Sequence, residues 1–175
     1  MPIEAEGLPP VRSSGPEREM LLEYLDYFRI VLRRKAEGIS DADLHRSIAP
    51  SKLTLGGLLR HMTVVEIGWF RQTLLDDPPP EPWVSAPWAD DPDWELTSAP
   101  DVPTPQIFAD YDDAIARSNE AVATIPSLDD IAANPRQNGT PVDLRWILIH
   151  TVEEYARHCG HADFIREAID GATGD

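Results

Sequence analysis

A chain of 175 residues, 42% hydrophobic and 26% charged, is one globular domain by length and composition, able to bury roughly 70% of its unfolded surface without staples. No stretch approaches about 18 uninterrupted apolar residues, which excludes a membrane helix, and the single cysteine, Cys159, excludes an internal disulfide framework and an all-cysteine zinc site. Fifteen basic against 31 acidic side chains leave a net charge of −16, which repels phosphate backbones and anionic lipid, so nucleic acid and membrane surfaces are not expected partners. The lone cysteine, and a start without a basic segment and apolar core, point to a reducing cytoplasm.

Residues 1–15, with Pro, Gly and Ser, read as a flexible tail ahead of a domain spanning 16–175. Proline then marks where helices can lie, because it removes a donor and clashes with the preceding turn. Nine of the 17 prolines fall between Pro78 and Pro105, leaving long Pro-free windows at 17–49, 51–77, 106–125 and 142–175. The first window carries Leu21, Leu25, Phe28 and Leu32 at helical spacing, with Glu17 and Glu19 opening it, Arg33, Arg34 and Lys35 closing it, and Gly38 as a stop. A short turn over Asp41 to Arg46 follows. Helix two opens after Ser51 and runs through Leu55, Leu58, His61, Val65 and Trp69.

Residues 77–103 form a long loop with Trp83, Trp88 and Trp94, and no Lys or Arg occurs between Arg71 and Arg117. A loop of this length either packs along the bundle or covers a pocket as a lid, and a lid is expected to supply no ligand. Helix three begins at Thr104-Pro105, with Thr104 as N-cap and a stripe of Phe108, Tyr111, Ile115 and Val122. Helix four begins after Thr140-Pro141 and ends near Gly171. No window alternates as a strand does, so the periodicity predicts an all-α four-helix bundle.

Three of the five histidines lie in HTVEEYARHCGH, His150 to His161. At 100° per residue from His150, Glu154 falls at about 40°, His158 at about 80° and His161 at about 20°. Ile147 and Ile165 share this arc, and Trp146 and Phe164 flank it, so the helix turns its ionisable groups inward. That is costly unless they are paired or bound to a metal. On helix two, His61 shares a face with Leu58, Val65 and Trp69, while Gly57 and Gly68 beside it leave room for a close helix or a ligand. One His from one helix and a Glu/His pair at i, i+4 from another form a workable facial site for Zn²⁺, Ni²⁺ or Fe²⁺. A buried hydrogen-bond network and metal-free acid/base catalysis are the other readings of the same spacing. No His-Glu-x-x-His, no paired Glu-x-x-His and no phosphate loop occurs, which disfavours a zincin, a di-iron bundle and a nucleotide site. Cys159 lies off the arc and reads as packing.

The segments LRWILIHTVEEYARHCGHADFIREAIDG and LGGLLRHMTVVEIGWF resemble the DinB-like superfamily, within it the actinobacterial branch similar to mycothiol S-transferases and mycothiol-dependent maleylpyruvate isomerase. The resemblance implies a four-helix bundle, here with its long Pro/Trp-rich loop between helices two and three, and one divalent metal, Zn²⁺ or Ni²⁺. The implied ligands are His61, Glu154 and His158, with His150 and His161 beside them as orienters or proton carriers; His161 in place of Glu154 is the alternative ligand set. Trp69 and Trp88 are the candidates to line the co-substrate. The implied activity is a metal-dependent thiol S-transferase, or thiol-dependent isomerase, using mycothiol or a similar thiol on a small electrophile. A metal-dependent hydrolase and a non-catalytic metal-binding stress-response protein are the rival readings. The bundle leaves room for a homodimer along an outer helix face.

Overall fold

The computed structural model of the chain describes residues 8–174, and all its regular elements are helical. They are α1 (Glu17–Ala36), α2 (Asp41–Leu44), α3 (Leu55–Glu66), α4 (Trp94–Thr97), α5 (Thr104–Thr124) and α6 (Leu144–Asp170). A π-helical stretch, Ile67–Thr73, continues α3 without a break, and a 3₁₀ turn, Ala99–Asp101, follows α4. The four long helices are those the Pro-free windows predict. None of the helices is long and apolar enough to cross a membrane.

Helix ends follow local chemistry, with some departures from the expected caps. The dipole of α1 meets Glu17 and Glu19 at its start and Arg33, Arg34 and Lys35 at its end, and Gly38 leaves at φ +72°. α3 begins later than Ser51 because the Thr54 hydroxyl accepts from Gly57 N. In α5, Thr104 is the first helical residue and Pro103 holds the cap position with no side-chain bond. α6 starts at Leu144, because Asp143 rather than Thr140 caps it, accepting from Trp146 N at 2.8 Å. Gly171 ends it in the left-handed region at φ +77°. Of the predicted tail, residues 1–7 lie outside the described residues. Within the rest, Leu8 and Val11 pack on the core and Arg12 bonds the Glu23 carboxylate.

α1 lies along α6, and α3 lies along α5 and reaches both of the others. Leu25 and Leu32 (α1), Leu58, Leu59 and Met62 (α3), Ile107 and Tyr111 (α5), and Ile147, Leu148 and Tyr155 (α6) are all buried in one core. Each such aliphatic side chain contributes about 1.5–3 kcal/mol. Ile147 and Ile165 face inward as the arc predicts, but Phe164 is 75% exposed. The C-terminal half of α6 meets α1 through Arg166, which donates to the carbonyls of Lys35 and Glu37, and this turns Phe164 away from the bundle.

One polar network is set in this core. Glu66, wholly buried, takes both Nε and Nη2 of Arg29 at 2.8 Å and the Tyr155 hydroxyl at 2.8 Å. Tyr111 donates to the Arg29 carbonyl at 3.0 Å, and Arg29 Nη1 reaches Asn119 Oδ1 at 2.9 Å. Arg29 is held charged beside Glu66, while burial raises both tyrosines well above their ordinary values. Every charged atom of the pair finds a partner, which is the condition for burying an ion pair without a large penalty.

Candidate metal centre

Where α3 and α6 run side by side, three predicted residues come together. A ring nitrogen of His61, a carboxylate oxygen of Glu154 and a ring nitrogen of His158 lie within 4.8 Å of one another, and all three side chains are half-buried. The i, i+4 spacing on α6 stacks Glu154 over His158, with Glu154 Oε2 3.4 Å from His158 Nε2. α3 brings the His61 ring to 4.7 Å from the His158 ring, centroid to centroid. Burial first, then the neighbouring His61 and His161 rings and Arg157, push His158 down to about 4, so it stands as a neutral imidazole at neutral pH. That is the form a metal takes. A second grouping, His150 with Glu153 and Glu154, comes from one helix and includes the exposed Glu153.

His61 has a partner that helical periodicity does not reveal. Its Nδ1 is 3.0 Å from Oε1 of Glu95, a buried residue on α4 in the Trp-rich loop. With the carboxylate accepting, His61 donates from Nδ1 and keeps the Nε2 lone pair free. Such a carboxylate behind a histidine fixes its tautomer and raises its basicity toward a metal. The other oxygen, Glu95 Oε2, is buried with no hydrogen-bond partner among the described residues. Nothing in the sequence singles out Glu95 from the other acids of its loop.

The loop is docked on α3. Arg60, next to His61 and buried, donates from Nε to the Glu95 carbonyl at 3.0 Å and from Nη2 to Ser98 Oγ at 3.0 Å. Its guanidinium lies over the Trp83 and Trp94 rings at 4.7 and 5.2 Å. Trp83 is buried against Ile67 and Ala114. Gly57 makes this docking fit: a Cβ there would meet Thr54 Oγ1 at 3.0 Å and Leu96 Cδ2 at 3.4 Å.

The remaining candidates divide between two places. Trp69 packs edge-on against Trp146 and His150, and the His150 ring stacks on Trp146 at 4.7 Å. His150 Nε2 is 3.6 Å from Glu154 Oε1. Trp88 lies elsewhere, donating from Nε1 to the Trp83 carbonyl and lining a pocket of about 250 Å³ with Val64, Ile67 and Glu95. His161 meets His158 on the other side of its ring, Nδ1 to Nδ1 at 3.3 Å, away from the edge that faces Glu154. Cys159 is buried and directs Sγ to the Phe28 carbonyl at 3.5 Å.

An all-helical bundle of this topology, with His and Glu gathered on two facing helices, is a DinB-like fold. The profile of the mycothiol S-transferase family matches residues 20–171, and the chain belongs to that family. A solved structure, the conserved protein of a locus from Enterococcus faecalis, superposes with a TM-score of 0.67 at 18% identity, covering 91% of this chain and all of its own, which establishes a shared fold. Comparison with curated proteins returns no match.

Proposed function

We propose that the protein is a divalent-metal-dependent thiol S-transferase that joins mycothiol, or a similar low-molecular-weight thiol, to a small electrophile. The observation that carries this reading is the convergence of His61, Glu154 and His158 from two helices, in a family defined by mycothiol transfer. The donor set fits a divalent ion: two imidazoles and one carboxylate, with Glu95 behind His61. Zn²⁺ or Ni²⁺ held there supplies positive charge that favours thiolate over thiol at neutral pH.

The chain's own groups do the rest. His150 Nε2, beside Glu154, receives the thiol proton. The sulfur attacks the electrophilic carbon, an S–C bond forms, and the leaving group departs with its electron pair; His150 passes the thiol proton to a basic leaving group, or to solvent when the leaving group is a halide. In an isomerisation the same S–C bond breaks again after the shift. His161 steadies the His158 ring. The pocket lined by Trp88, Val64 and Ile67 offers an apolar seat for the electrophile.

Protein purified without added metal is expected to hold about one divalent ion per chain, and His61→Ala and His158→Ala to lose it. Metal-loaded protein should consume mycothiol with monochlorobimane, and the metal-free form should not. Turnover of an ester or amide without thiol would favour the hydrolase. No thiol consumption with mycothiol, bacillithiol or glutathione across several electrophiles would overturn the transferase reading.

A further inference from the structure

A cavity of about 620 Å³ lies beside Trp69, whose ring packs against His150. Its walls come from the π-helical stretch and from the segment before α6. Ala133 N and Asn134 N donate to the carbonyls of Leu74 and Thr73, which hangs residues 134–138 across the end of the π-helix. Gly68 keeps the wall open: a Cβ there would meet only Gln72 Oε1, at 3.9 Å. π-Helical turns of this kind recur at functional sites.

We propose that this cavity binds the polyhydroxylated part of the thiol co-substrate, leaving the cysteinyl arm to reach the His61–Glu154–His158 cluster. The inference rests on the transferase reading above and adds the recognition site to it.

Three observations carry it. First, none of the nine lining residues is acidic, in a chain where 31 of 175 residues are. Second, the polar groups suit hydroxyls. Gln72, Asn134, Gln137 and Asn138 are amides, which both donate and accept. Both amide hydrogens of Asn134 are engaged, on the Gln72 carbonyl and Asp76 Oδ1, so its side chain is pinned with the oxygen left to accept. Arg136 adds donors; it lies 4.7 Å over the Trp146 ring and makes no ion pair among the described residues. One cation among four amides, with an indole wall, matches a sugar–inositol unit better than a small carboxylate. Third, the distance fits. Trp69 is eight residues beyond His61 and Trp146 eight before Glu154, about 12 Å along each helix. His150 bridges that interval, its ring 5.0 Å from Trp69 and its Nε2 3.6 Å from Glu154. The cavity is also within the range, about 300–1,000 Å³, that holds a small ligand.

The test uses the full chain loaded with Zn²⁺. Glucosaminyl-inositol, which lacks the thiol, is titrated and followed by Trp fluorescence and saturation-transfer NMR. Saturable binding is expected, weakened at least tenfold by Arg136→Ala combined with Gln137→Ala, with circular dichroism and metal content recorded for each variant. In turnover, the ratio of kcat/KM for mycothiol to that for N-acetylcysteine should fall at least tenfold in the same variant. Absence of saturable binding to the parent protein overturns the inference. So does an unchanged ratio in the variant, or competition by maleate in place of the polyol. A protein that binds the probe at this place but consumes no thiol would leave the cavity assignment standing and remove the transferase reading.

Discussion

Two polar clusters lie between the same helices and have opposite characters. Arg29 and Tyr155 both donate to Glu66 in the core, wholly enclosed, with each polar atom answered by another. His61 and Glu154, on the same two helices, are only half-buried, and their ring nitrogen and carboxylate oxygen come within 4.8 Å of each other and of a His158 ring nitrogen. Glu154 and Tyr155 are chain neighbours, so about 100° of helical turn separates the two environments. The closed network has all its partners within the protein and holds α1, α3 and α6 together. The open cluster leaves donors for something else.

The largest effect should come from breaking the closed network. Glu66→Ala leaves Arg29 charged in the core and is expected to cost about 3–5 kcal/mol in urea unfolding. Glu154→Ala, one helix face away, should lose the metal while the metal-free protein unfolds near the parent midpoint. If the two variants exchanged these phenotypes, the division into scaffold and site would be wrong.

A smaller effect tests the docked loop. Glu95→Ala removes the acceptor behind His61 and should weaken metal affinity by about 10–100-fold, measured by competition with a chromophoric chelator. Glu95→Gln, which can still accept from Nδ1, should recover part of that loss. An unchanged affinity in both would reduce the loop to a passive cover.

The smallest effect is on pH. His158 in the folded, metal-free protein binds its proton less tightly than in the unfolded chain, about 4 against an ordinary 6.5. Its contribution to stability is therefore full above about 6.5 and is lost as pH falls from there toward about 4. Thermal unfolding of the metal-free protein should show this slope, and His158→Gln should flatten it. Arg29, held charged, should add nothing to the slope in that window.

Much of this arrangement was legible in the sequence because it depends on neighbours along the chain. Proline placement marks where four helices can form, and the spacing of His150, Glu154, His158 and His161 puts them on one arc of α6 wherever that helix packs. Gly171 ends α6 because a left-handed residue there suits glycine. The starts of α5 and α6 were misplaced by one to a few residues, since several Thr, Pro and Asp in a row offer competing caps. Trp69 and Trp88 could not be assigned to separate pockets from their positions in the chain.

Tertiary structure alone decided the rest. Glu95 meets His61 across 34 residues, Arg29 meets Glu66 across 37, and Tyr155 meets Glu66 across 89. No local period encodes such pairs; they exist because the helices cross at those heights and Arg60 holds the loop against α3. Periodicity places a side chain on a face of its own helix. What stands opposite that face, and whether it leaves the side chain satisfied or free to bind, is set by packing between elements distant in the chain.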